Sequence, residues 1–294
     1  MSNTILRNEN VSVTLKSLGG EMTSIKDASG TEYLWQGNPD FWSGQAPVLF
    51  PIVGCLRNGT ATIGNSKTCS FGRHGIVRKK EFKCVTETEN SILFEIESNE
   101  EMLAQYPYEF KLGIEYTLKD KKITIRYIIE NKDKEIMPFQ IGGHPGFHCP
   151  LYKEESYDDY ELVFEKKETC TVPTPVTETG LIDMEHRSGF LEDTDTLPLK
   201  HDLFSVDAVI LDQLKSRAVT LKSKKHNKGI RLDFEQFPYL ILWSTAKEAD
   251  FVAMEPWIGL STCSDEGDKF EEKRNIQYVQ AGEVKEYEFH INIL

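Results

Sequence analysis

Apolar and polar residues alternate along most of this chain, the period that sends successive side chains to opposite faces of a β-strand. Val11–Leu15 shows the pattern, and Ser91–Ser98, Phe110–Leu118 and Lys122–Glu130 show it more strongly, with the β-branched and aromatic residues that strands favour. Tyr160–Glu165, Ala218–Lys222, Ile230–Phe234 and Tyr239–Trp243 continue it. Tyr287–Ile293 (Tyr-Glu-Phe-His-Ile-Asn-Ile) closes it in strict alternation. Helical periodicity is scarce, and Asn99–Tyr106 is the best short helix. The acidic segment from Lys153 to about Asp195 is less regular and predicts extended loops. No Gly/Ser-rich linker and no repeat of fixed period divides the chain. Many strands punctuated by turns predict an all-β protein, one large antiparallel sandwich or barrel-like domain over residues 1–294.

A length of 294 residues suffices for a substantial core, and 39% hydrophobic with 28% charged residues is ordinary globular composition. The formal charge of 34 − 47 = −13 argues against nucleic acid or an anionic membrane as partner. The first residues, Met1 to Arg7, lack the basic-then-apolar order of a signal peptide, and no window approaches the about 18 apolar residues a membrane helix needs. Six cysteines at 55, 69, 84, 149, 170 and 263 form no Cys-x-x-Cys pair. Free thiols in a reducing cytoplasm are therefore expected, with neither a zinc site nor a disulfide framework.

Four stretches interrupt the strands with functional residue types. Ile141–Pro150 (Ile-Gly-Gly-His-Pro-Gly-Phe-His-Cys-Pro) follows a strand and predicts a stiff turn that projects His144. Imidazole is the side chain best suited to proton transfer near neutrality. Gly72-Arg73-His74-Gly75-Ile76-Val77-Arg78 sets a second histidine between glycines and arginines, either as a functional group or as the cap of a turn. Tyr33–Trp42 followed by Ala46–Gly54 offers Trp35 and Trp42, either to stack on the apolar face of a sugar or to join the core, with core favoured for Trp35. In Phe251–Trp257 an apolar strand carries Glu255. A desolvated carboxylate there has a raised pKa and suits a general base, unless an arginine holds it as a structural ion pair. His144, His148 and Cys149 do not make a metal site, because positions i and i+4 of an extended segment lie about 13 Å apart.

Taken together, these landmarks resemble the aldose 1-epimerase (mutarotase) family, in the LacX-like branch of the galactose mutarotase superfamily. The matching residues are Trp42 with Pro47–Gly54, His74–Arg78, Gly143-His144-Pro145-Gly146-Phe147, Asp207–Ile210 and Glu255-Pro256-Trp257-Ile258-Gly259, in the family's order across nearly the whole chain. The resemblance implies a galactose mutarotase-like supersandwich with a cleft across one sheet, working without cofactor or metal on a small sugar, as a monomer or homodimer. It implies that His74 binds and polarises the sugar, His144 protonates the ring oxygen and Glu255 takes the proton of the anomeric hydroxyl. Asp207 would bind sugar hydroxyls. Arg78, Phe147 and Trp257 join them as candidate binding residues. One departure stands out. Some relatives carry arginine where this chain has Cys55, and Arg57, two residues on, takes over that contact if the segment is extended, or is a surface charge if not. Beside a free hexose, the alternatives are a hexose 6-phosphate, which needs a basic pocket at one end of the cleft, and a non-catalytic carbohydrate-binding protein on the same fold. A glycoside hydrolase fits less well, since only Glu255 of the two required carboxylates is in place.

Overall fold

A computed structural model describes residues 3–294. Its frame is an antiparallel β-sandwich. The larger sheet has nine strands in the order Leu181–Pro198, Tyr160–Val176, Ala218–Ser223, Gly229–Asp233, Val284–Ile293, Lys122–Asn131, Phe110–Lys119, Ser91–Glu97, Lys83–Glu87. The alternation read in the sequence is the alternation of burial: every second residue of Lys122–Asn131 is buried, with Ile123, Ile125, Tyr127 and Ile129 turned to one face. A separate three-stranded sheet is formed by Asn3–Arg7, Val11–Lys16 and Glu21–Asp27.

The second main sheet carries the chemistry. Its order is Val209–Leu211, Tyr239–Trp243, Phe251–Ile258, Ile141–Gly143, Val48–Leu49, with Gly146–His148 also paired to Phe251–Ile258. All eight residues of Phe251–Ile258 are buried, because both faces are covered. Val252, Met254 and Ile258 enter the core between the sheets. The odd-numbered residues, Phe251, Ala253, Glu255 and Trp257, face the other way. The sheets approach closely at Gly143, where an added Cβ would meet the Phe289 ring at 2.9 Å.

Two expectations need correction. The helix is only Glu100–Leu103, capped by the Asn99 side chain accepting from the Met102 N–H at 3.0 Å. The Tyr106-Pro107 step forbids its extension. The acidic segment expected to be loops is a long hairpin, Tyr160–Val176 with Leu181–Pro198. Only Tyr160–Phe164 also pairs with the rest of the sheet, so beyond it the hairpin is a two-stranded arm broken by register shifts. On such an arm Pro173 and Pro175 cost no central ladder bonds, which is why the pattern read as irregular. The arm is braced at two points. Arg187 grips Asp212 bidentately at 2.6 and 3.0 Å. Glu168, fully buried, accepts from the Lys215 and Ser216 N–H groups and the Ser216 hydroxyl. Among the described residues no helix is long and apolar enough to cross a membrane.

Glu168→Ala leaves those buried donors without an acceptor, so we expect a loss of about 3 kcal/mol in unfolding free energy. Urea denaturation combined with hydrogen exchange checks this. Exchange should rise along the arm, and unchanged stability would show that the arm is not anchored at Glu168.

Candidate active site

Strand register places the two central groups. Gly142 pairs with Trp257 and Gly146 with Ala253. The same register, carried across the break at Pro145, sets His144 directly opposite Glu255. His144–Pro145 is thus an interruption between two short strands, not the sharp turn the glycines and proline suggested. Across the strand His144 Nε2 lies 3.3 Å from Glu255 Oε1. Ile241 pairs with Glu255 from the other side.

His74 reaches the same place from a different loop. Its backbone sits at φ +68°, a left-handed conformation rare outside glycine. A reciprocal pair with Gly54 holds it there: the His74 N–H donates to the Gly54 carbonyl at 2.8 Å, and the Gly54 N–H donates to His74 Nδ1 at 3.1 Å. Gly75, at φ +79°, lies so close to the Phe50 carbonyl that a Cβ has no room. Because Nδ1 accepts, the neutral ring carries its proton on Nε2 and is a fixed donor. The His74 and His144 rings meet edge to face with centroids 5.4 Å apart.

These side chains line a cleft of about 390 Å3 together with Trp42, Arg73, Arg78, Thr177, Asp207, Trp243 and Trp257, a volume in the range of small-ligand pockets. Trp42 stacks on the His144 imidazole at 4.8 Å, and Trp243 meets it edge-on at 5.5 Å. Burial inside this wall dominates the electrostatics. It pushes the Glu255 carboxyl well above the carboxylate range, aided by Asp207; the Trp257 indole N–H, close but short of a hydrogen bond, and Arg73 oppose it. It also pushes the His144 imidazolium down to about 3, with Arg78 and Arg73 adding to the effect and a local backbone contact opposing it. The His74 imidazolium is pushed well below its ordinary value by burial, then by His144 and the two arginines. Both members of the 3.3 Å pair are therefore driven toward the neutral form. Glu255 Oε2, His144 Nδ1 and Trp257 Nε1 are buried without a protein hydrogen-bond partner. A polar ligand meets groups here that are already stripped of water. A neutral histidine donor beside an acid–base pair suits proton transfer at a single polar carbon centre.

A family model described as aldose 1-epimerase matches residues 2–276. The chain belongs to the aldose 1-epimerase family. The family's members are isomerases of carbohydrates, and this chain is one by descent. The protein LacX of Lactococcus lactis subsp. lactis, in its plasmid and its chromosomal form, is 47% identical over 98% of both chains. A galactose mutarotase related enzyme from Lactobacillus acidophilus superposes with a TM-score of 0.93 at 30% identity, covering 100% of this chain and 97% of that one. A galactose mutarotase-like protein from Lactobacillus casei gives 0.87 at 30% identity over the full length of both.

Of the residues singled out in the sequence, the cleft unites His74, His144, Glu255, Arg78, Asp207 and Trp257. Two lie elsewhere. Phe147 pairs with Val252 and turns with it into the core, fully buried. It is three residues from His144, and an odd separation along a strand means opposite faces. Arg57 begins a 3-10 turn, Arg57–Gly59, that breaks the extended geometry its assignment needed. Its guanidinium is held by Asp268 at 2.7 Å and by the Cys263 and Glu266 carbonyls. The arginine beside Cys55 is instead Arg73: a Cβ on Gly180 would meet Arg73 Nη2 at 2.5 Å and Cys55 Sγ at 2.9 Å. Its signal was its place next to His74. Trp35 joins the core as expected, while Trp42 faces the cleft. Trp243 and Thr177 carried no signal, the first reading as one more apolar strand residue and the second belonging to the misread arm.

The buried pair implies a pH signature in stability. The unfolded Glu255 carboxyl loses its proton near 4.5, while the folded one keeps it to higher pH. Stability from this group is complete below 4.5 and falls as pH rises through the folded value. His144 acts in the opposite window: its unfolded imidazole takes up a proton near 6.5, the folded one near 3, so stability falls as pH drops between those values. Glu255→Gln removes only the first slope. Its melting temperature should gain on the wild type from about pH 5 to pH 8, and parallel curves over that range would contradict the raised carboxyl.

Proposed function

We propose that this protein interconverts the α and β anomers of a hexose by acid–base ring opening and reclosure. The observation that carries the reading is the 3.3 Å contact of His144 with Glu255 in a buried cleft beside the neutral donor His74. Anomer exchange requires a proton to leave the hydroxyl on C1 and another to reach the ring oxygen as the C1–O5 bond breaks. Transfer of one proton within the pair converts the neutral form to carboxylate and imidazolium. Glu255 then takes the hydroxyl proton and His144 gives one to the ring oxygen. The open aldehyde turns about C1–C2, and the reverse transfers close the other anomer. His74 Nε2–H polarises a sugar oxygen without titrating. Asp207, Arg78 and Trp257 bind hydroxyls, and Trp42 and Trp243 offer faces to the CH-rich side of the ring. All the proton traffic is supplied by side chains. Six free thiols accord with a reducing cytoplasm.

Glu255→Gln keeps shape and hydrogen-bonding capacity while deleting the base. The exchange rate of the preferred aldose, read by saturation-transfer NMR, should fall about 10²- to 10⁴-fold. Affinity should change far less, since the amide oxygen still accepts from the hydroxyl. Wild type that exchanges no aldose above the solvent rate, combined with a sharp loss of binding in Glu255→Gln, would make this a sugar-binding protein on the same scaffold.

A further inference from the structure

The two histidines of the cleft are held in different ways. The His74 ring is fixed by the Gly54 N–H at Nδ1. His144 Nδ1 is buried with no hydrogen-bond partner. Nothing on that side performs the usual task of a second-nitrogen partner, which is to orient the imidazole and take up the charge it gains as an acid. Only a local backbone contact favours the imidazolium, against burial and the charges of Arg78 and Arg73. His74 sits edge to face with it, Asp207 lines the same cleft, and Glu255 meets Nε2 at 3.3 Å. Yet the reaction proposed above makes His144 positive in mid-cycle.

Among the described residues three rings contact this imidazole. Trp243 and His74 stand across it, at 80° and 89°. Trp42 lies along it, its plane within 28° and its centroid 4.8 Å away. A cation at that distance from an aromatic face is attracted by the ring quadrupole, most strongly by indole and more so where water is excluded. Core packing does not demand this placement, since Trp42 is only half-buried at the margin of a small cluster with Trp35, Phe251 and Ala253. The chain is nevertheless shaped around it. A Cβ on Gly146 would meet Trp42 Cζ3 at 2.8 Å, and one on Gly44 would meet Cε2 and Cζ2 at 2.6 Å. The Trp42 N–H donates to the Asn38 carbonyl at 2.9 Å, and the Trp35 indole N–H donates to the Trp42 carbonyl at 2.7 Å. Gly146, two residues after His144, thus makes room for an indole laid across His144 and Phe251.

We propose that Trp42 is a positioning residue for the acid: its indole face holds the His144 imidazole within reach of Glu255 and stabilises the imidazolium that proton transfer creates. This rests on the acid–base reading above and adds to it a group that acts without touching the reacting atoms.

The test compares wild type with Trp42→Phe, Trp42→Leu and Trp42→Met in two measurements. The first is anomer exchange by saturation-transfer NMR for glucose, galactose and their 6-phosphates, with kcat and KM separated and the pH profile recorded. The second follows the imidazole NMR signals of His144 through an acid titration, the signals being assigned by their loss in His144→Gln. Trp42→Leu should lower kcat about 10- to 30-fold with KM nearly unchanged, and Trp42→Phe, which keeps an aromatic face, should lose much less. In Trp42→Leu the His144 ring protons should lose the upfield displacement of a stacked indole. The His144 titration and the acid limb of the rate should move down by about 1 in pH, while the alkaline limb stays. Trp42→Met gives the same reading if Trp42→Leu does not fold. A raised KM with kcat intact, equal losses in Trp42→Phe and Trp42→Leu, or His144 signals that do not move would each overturn the proposal. If wild type exchanges no aldose, the epimerase reading fails by itself. A His144 titration that moves down in Trp42→Leu and less in Trp42→Phe would then still support the stacking role, and one that stays in place would overturn it.

Discussion

The site depends on one cross-strand contact. His144 and Glu255 are 111 positions apart in sequence, yet the pairing of Ile141–Gly143 and Gly146–His148 with Phe251–Ile258 holds them in register. Cβ atoms of directly opposed residues in such a pair lie about 4.5–5.5 Å apart, so the contact follows from the ladder itself. Pro145 cannot donate to that ladder, and the glycines around it let Trp257, Trp42 and the larger sheet approach. What looked like a loop motif is a strand interrupted at the point where it must present an imidazole.

Burial converts that geometry into chemistry. An exposed imidazole and carboxylate would ionise independently near their ordinary values. Enclosed by Trp42, Trp243 and Trp257, both charged forms are penalised, so burial drives each group of the pair toward its neutral state. In the proposed reaction, proton transfer between Glu255 and His144 separates charge without uptake from solvent, so acid and base are created together. His74 is kept apart from this exchange by its hydrogen bond from Gly54, which fixes the tautomer and leaves a donor with a constant proton. After burial, the arginines on its loop disfavour imidazolium at both His74 and His144.

Much of the fold was legible because period-two alternation maps directly onto a sheet with one face buried. Lys122–Asn131 and Tyr239–Trp243 were readable for that reason. The arm beyond Phe164 was not, because a two-stranded extension with bulges and prolines has no continuous buried face to impose alternation. At the site, short motifs marked His74, His144 and Glu255 as candidates, with His74 also readable as a turn cap and Glu255 as a structural ion pair, and all three line one cleft. Placement was the weaker inference. The odd spacing between His144 and Phe147 already implied opposite faces of an extended segment. The turn at Arg57–Gly59 could not be seen, so Arg57 stayed open between a cleft contact and a surface charge; it is held by Asp268 outside the cleft, and Arg73 is the arginine lining it. Trp243 shows the remaining limit: an aromatic on the cleft side of a sheet is indistinguishable in sequence from one on the core side.

The central claim is that one shared proton on the His144–Glu255 pair drives anomer exchange, and the pH dependence of that exchange in the wild-type protein tests it most directly. Saturation-transfer spectra on the preferred aldose should give a bell with a plateau near neutrality. One limb reports loss of the pair's proton, the other gain of a second, as macroscopic values of the unit. A rate that tracks hydroxide through alkaline pH, or that never exceeds the buffer rate at any pH, would contradict it.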